Sequence, residues 1–203
     1  FLFIFDFASV PRRKNPLGLV AAFKRAFPEP QADAVLVLKS INGDRRPQDR
    51  LELEEAIAGR DDIVLLDRRL DRREHETLIA SCDCYVSLHR SEGLGLTIGE
   101  AMLLGKPVIA TGYGGSNDLV TAATAFPVRY EIVPVGTGAA PYDPDDRWAE
   151  PDLEHAAELM RHVFEDRAGA ARVAARGREH VIAEHGLQAA GRAITERLAQ
   201  IGA

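Results

Sequence analysis

Apolar residues fall in short runs at nearly regular intervals, with amphipathic stretches between them. Residues 1–6, 34–38, 63–66, 84–88 and 107–110 are dense in Val, Ile, Leu and Phe. Each run is too short for a helix and is bounded by charges or turn residues, so each is expected to be a buried strand; 124–128 is read as a sixth. After Pro16, a residue suited to a first helical turn, Leu19, Val20, Ala22, Phe23, Ala26 and Phe27 recur at helical spacing. Charged helices are expected at 48–58 and 72–81, and a short helix at 101–104 closed by Gly105. Strands alternating with helices imply right-handed crossovers, which makes the predicted fold α/β, a Rossmann-like parallel sheet covered by helices on both faces. Residues 131–147 are rich in Gly and Pro with little periodicity and are expected to form a long loop. Trp148 to Asp152 is expected to open a helical tail, with Pro151 in its first turn, that packs against the sheet. Tail helices are expected at 153–165, 168–185 and 187–201, broken near Gly186. The reading is one domain, 1–203, with a core over 1–130, a loop over 131–150 and a tail over 151–203.

In a parallel sheet the ligand lies beyond the carboxyl ends of the strands. Five segments fall there: 6–14, 39–45, 67–70, 89–96 and 111–117. Ser91-Glu92-Gly93-Leu94-Gly95-Leu96-Thr97-Ile98-Gly99-Glu100 stands where a strand hands over to a helix. There, unpaired amides and the helix dipole favour an anion, and glycine lets a ligand approach the backbone. The amides of Gly95, Leu96 and Thr97 are therefore candidate phosphate contacts. Arg12, Arg13 and Lys14 form a tight cationic cluster on a loop expected at 9–14, suited to a diphosphate. Lys39 ends the second strand at the same edge. Glu92 and Glu100 bracket the glycines, and carboxylates accept hydrogen bonds from sugar hydroxyls. His89 could serve as a base but is more readily a polar neighbour of the site.

Composition narrows the class. The 203 residues are 46% hydrophobic with a formal net charge of −6, enough for one ordinary core and unsuited to a nucleic-acid surface. Apolar runs end after five or six residues, short of a membrane span. Phe1 to Phe5 lacks the basic leader and cleavage site of a signal peptide. A chain seldom starts inside a buried strand, so position 1 is expected to lie within a longer protein. Cys82 and Cys84 flank Asp83 at a spacing unsuited to a disulfide, so reduced structural thiols and a cytoplasmic location are expected. His155 with His162, and His180 with His185, lack zinc-ligand spacing. No metal and no cofactor are expected, with cations and a helix end holding any diphosphate.

Glu92 to Glu100 resembles the E-x7-E signature of retaining, nucleotide-sugar-dependent glycosyltransferases of the GT-B fold, family 4 type. Gly105-Lys106-Pro107-Val108-Ile109-Ala110-Thr111 followed by Gly114-Gly115-Ser116-Asn117-Asp118 resembles the segment that comes next in that family, and Arg13-Lys14-Asn15-Pro16 its basic phosphate loop. The resemblance runs from Phe1 to about Trp148 and covers the donor-binding half only, so the acceptor-binding half is expected to be absent. It implies transfer of a hexosyl group from a UDP- or GDP-sugar to an acceptor glycan, lipid or other small molecule, with the isolated domain inactive. By the resemblance, Glu100 takes the ribose hydroxyls, Arg13 and Lys14 the diphosphate, and Glu92, with Gly93 and Leu94, the transferred sugar, which makes Glu92 the catalytic candidate. Glu92 is then expected to hold nothing when the sugar is absent. Where the family often carries a glutamate after the paired glycines, this chain has Ser116-Asn117-Asp118, so Asn117 or Asp118 is expected to substitute. A UDP-sugar 2-epimerase-like enzyme of the same architecture and a non-catalytic nucleotide-binding module remain alternatives.

Overall fold

The computed structural model describes residues 1–30 and 33–202. Among these, six strands form one parallel sheet: β1 (Leu2–Ile4), β2 (Leu36–Ser40), β3 (Ile63–Asp67), β4 (Tyr85–Ser87), β5 (Val108–Thr111) and β6 (Phe126–Val128), in the order β3-β2-β1-β4-β5-β6. Every neighbouring pair is parallel. β1, β4 and β5 are almost wholly buried, with Leu2, Phe3, Tyr85, Val86, Val108 and Ile109 each no more than 1% exposed. This two-sided burial is why the sequence shows continuous apolar runs rather than alternation.

The crossovers are helical: α1 (Pro11–Lys14), α2 (Pro16–Ala26), α3 (Pro47–Ile57), α4 (Arg72–Ser81) and α5 (Leu96–Leu103), followed by α6 (Leu153–Glu165), α7 (Arg167–His185) and α8 (Leu187–Gln200). The strand order reverses direction after β1, and right-handed crossovers then send α2 and α3 to one face and α4 and α5 to the other. The tail reinforces both groups, α6 packing on α2 and α7 on α5. α6 buries Ala156, Ala157, Met160 and Val163, one stripe at i, i+1, i+4, i+7 spacing. α8 departs from the expected packing, because none of its residues is buried.

Two further expectations are corrected. Residues 9–14 are not a plain loop: a 3-10 turn at Phe7–Ser9 leads into the single helical turn α1. The stretch read as a loop and helix entry is a hairpin of β7 (Tyr130–Pro134) and β8 (Arg147–Pro151), antiparallel with Val133 opposite Trp148. Pro151 therefore ends a strand, and α6 starts at Leu153 with the Asp152 carboxylate accepting from the His155 amide at 3.0 Å. Trp148, Val135 and Ala139 form a small second core under the hairpin, with Val10, Val133 and Tyr142 against it.

Candidate functional site

β1 and β4 lie side by side at the point where the strand order reverses, the position at which open α/β sheets bind ligands. The segments that follow them are stitched together. Asn15, 3% exposed, donates from Nδ2 to the Leu88 carbonyl at 2.9 Å and accepts from the Gly18 amide at 3.2 Å, capping α2. The Arg90 amide donates to the Arg13 carbonyl at 2.8 Å, and Arg90 Nη1 donates to the Arg12 carbonyl at 2.6 Å. Val10 (φ 57°) and Asn15 (φ 59°) bracket α1 in left-handed backbone, unusual for a β-branched valine. The basic turn is thereby held in one conformation against the end of β4.

That arrangement brings Lys14 to Glu92, 78 residues away, where Lys14 Nζ donates to Glu92 Oε2. Arg13 Nη1 lies 3.7 Å from the same oxygen and donates to the Ser91 carbonyl at 2.8 Å. Burial works to raise the Glu92 pKa, but the Lys14 hydrogen bond and the charges of Lys14 and Arg13 outweigh it, and the carboxylate is held below its ordinary range. The Glu92-Gly93 turn rests on the paired glycines: the Gly115 amide donates to the Glu92 carbonyl at 3.1 Å, and a Cβ on Gly115 would stand 1.5 Å from the Gly93 carbonyl oxygen. Only glycine fits there, a role the bare sequence did not reveal. Next along, Gly95 at φ 78° starts α5 without a side-chain cap, leaving the first amides of that helix open.

Lys14, Glu92, Gly95 and the first residues of α5 share a cleft of about 690 Å³, within the range of small-molecule sites; Arg13 lies outside its lining. Asp6, Ser9 and Lys14 line it after β1, Lys39 and Ile41 after β2, and Arg69 and Leu70 after β3. Glu92, Leu94, Gly95, Leu96 and Thr97 close it, with His75 of α4 at the rim. Four of the five expected segments converge; the fifth, 111–117, supports Glu92 and Gly93 from behind. Glu100 is exposed one turn into α5, outside the cleft lining, with its Oε2 3.0 Å from Nε2 of His75, which does line the cleft. Thr97 Oγ1 accepts from the buried Tyr85 hydroxyl at 2.7 Å. Lys39 is 3% exposed and donates to the Ser40 carbonyl at 2.5 Å, and burial lowers its pKa.

Other candidates are placed elsewhere. The Arg12 guanidinium points away from the cleft, donating to the Thr137 and Val135 carbonyls and lying 5.7 Å from the Trp148 ring centre. His89 is fully buried between Ser87 Oγ (3.0 Å from Nδ1) and Ser116 Oγ (3.2 Å from Nε2), and burial lowers its pKa to about 4. It supports the site from inside the protein and does not face it. Asn117 is exposed in the 3-10 turn Gly114–Asp118, outside the cleft lining. An Asp-x-Asp triplet, Asp143-Pro144-Asp145, lies between β7 and β8, where Asp143 Oδ1 accepts from the Asp145 amide at 2.9 Å. Among the described residues, no three His, Cys, Asp or Glu side chains converge as a metal site.

Residues 1–144 match the family described as Glycosyl transferases group 1. Among curated proteins none matches. The structure of Anabaena Alr3699/HepE in complex with UDP and glucose is similar at TM-score 0.72 and 20% identity, over 98% of this chain and 48% of that one. The sucrose-phosphate synthase of Thermosynechococcus elongatus is similar at TM-score 0.71 and 22% identity, over 98% of this chain and 45% of that one. The C-terminal domain of a glycosyl transferase group 1 family protein (LpcC) from Francisella tularensis gives TM-score 0.65 and 17% identity, over 92% of this chain and 86% of that domain. The chain thus spans about half the length of the first two proteins and most of the isolated C-terminal domain.

Proposed function

Since this chain belongs to the group 1 glycosyl transferases, we propose that it is the donor-binding half of a retaining glycosyltransferase that moves a hexosyl group from a nucleoside diphosphate sugar to an acceptor. The observation that carries the reading is the meeting of Lys14, Glu92 and the open N-terminus of α5 in one cleft at the switch point. Lys14 and Lys39, with the amides of Leu96 and Thr97, bind the diphosphate and stabilise the charge that develops on it as the glycosidic bond breaks. Glu100, steadied by His75, accepts the ribose hydroxyls, and Arg69 and Leu70 flank the base. Glu92 receives the sugar, with Gly93 and Leu94 beside it. The acceptor is presented by a second protein surface, so the isolated chain binds donor without transferring it.

The Anabaena protein was solved with UDP-glucose, which makes UDP the first probe. Thermal-shift titration with UDP, GDP and ADP is expected to single out one nucleotide, with about 2.7 kcal/mol of stabilisation at 100 times its dissociation constant. Glu100→Ala should weaken that nucleotide by about 1.5–3 kcal/mol, the weight of hydrogen bonds to a charged group. A chain that none of the three stabilises, or a Glu100→Ala variant that binds like wild type, contradicts the reading.

A further inference from the structure

The Glu92 carboxylate does more than await a sugar. It is already bonded to Lys14 Nζ, with Arg13 3.7 Å away. The three side chains are only 16–18% exposed, so solvent screens the cluster less than it would a surface pair. The backbone of Glu92 cannot withdraw: its carbonyl takes the Gly115 amide, and the Gly93 carbonyl is packed against Gly115 with no room for a methyl group. Arg13 is likewise tied to the Ser91 carbonyl. Lys14 is freed when its own flexible stem or the Glu92 side chain rotates, and an anion arriving beside an unmoved Glu92 meets a like charge.

Resting on the donor-site reading above, we infer that Glu92 is an internal counter-ion that occupies the diphosphate's cationic partners in the empty site, so that the cleft discriminates intact donor from spent nucleotide. A bare nucleoside diphosphate displaces Glu92 from Lys14 and offers the released carboxylate nothing. An intact nucleotide sugar carries hydroxyls next to its diphosphate, and these donate to the same carboxylate. Once the sugar has left, Glu92 loses those donors and competes again for Lys14, which favours release of the product.

Calorimetric titration with UDP and UDP-glucose, GDP and GDP-mannose, and ADP and ADP-glucose, on wild type, Glu92→Gln and Glu92→Ala, tests this. Both variants remove the internal anion, and circular dichroism melting establishes that each is folded. With the nucleotide that wild type binds, each variant is expected to bind the bare diphosphate about fivefold more tightly, the weight of about 1 kcal/mol for one ion pair. Their preference for the sugar nucleotide should fall. In a Lys14→Ala background the tightening should shrink. Bare-diphosphate affinity that is unchanged or weaker in both variants overturns the inference and leaves the donor site standing. No binding of any of the six ligands by wild type overturns both.

Discussion

At the level of single residues, the site depends on which charges are free and which are spent. The sequence brought Lys14, Glu92 and the Gly95 turn to one sheet edge because a strand-to-helix junction exposes amides at the carboxyl ends of the strands, and the fold gathers these three in one cleft. Residue type did not separate Arg12 from Arg13, though the family resemblance singled out Arg13 and Lys14; adjacent side chains on one helical turn point in different directions. In the fold Arg13 meets Ser91 and Glu92 while Arg12 meets the hairpin. Nor could the sequence show that Glu92 is paired, because its partner is 78 residues away. His89 carries a test of its own. It is buried between two hydroxyls, with the Glu92, Lys14 and Arg13 charges nearby, and titrates at about 4 in the fold against about 6.5 unfolded. Between those values the unfolded chain binds the proton and the folded one does not, so stability falls as pH drops through that window, by on the order of 3 kcal/mol. Urea unfolding at pH 7 and pH 4.5 should show this loss in wild type and a smaller one in His89→Asn; equal losses would mean that His89 is protonated inside the fold.

Among the elements, the β7–β8 hairpin is where sequence patterning failed most. Gly136, Gly138, Pro141 and Pro144 dominate its connection, and in the Tyr130–Pro134 strand the short apolar stretch Ile132-Val133 is largely exposed and runs into Pro134, which made it read as loop. Strand ends elsewhere moved by one or two residues, as at Leu36–Ser40, because Lys39 and Ser40 are polar yet buried at the sheet edge. The hairpin has a clear attachment. Trp148 lies beside the guanidinium groups of Arg12 and Arg90 (5.7 and 5.4 Å), and Arg90 also grips Glu150 through Nε at 2.5 Å and Nη2 at 2.8 Å. Arg90 is the residue whose side chain and amide hold the α1 carbonyls. Trp148→Ala should therefore cost about 3–5 kcal/mol and speed amide exchange in both 130–151 and 11–14. Faster exchange confined to the hairpin would show that it is an attachment with no hold on the basic turn.

For the molecule as a whole, the class of fold was readable from alternation of buried runs and amphipathic helices, but the strand order was not. Local patterning says that β1 and β4 are buried; it does not say that they are neighbours, and that adjacency brings Lys14 to Glu92 and the Gly95 turn. The same sheet offers a competing place, a cavity of about 550 Å³ at the opposite edge, lined by Cys82, Lys106, Phe164 and Arg167. We propose that the nucleotide binds at the carboxyl edge, because the open helix amides and Lys14 stand there. The most direct measurement is an amide chemical-shift titration with the nucleoside diphosphate that the chain binds. The account predicts the largest shifts at Gly93, Gly95, Leu96, Thr97 and Lys14, with Lys106 and Phe164 unmoved. Shifts that centre on Cys82, Lys106 and Phe164 while the Gly95 turn stays still would contradict it.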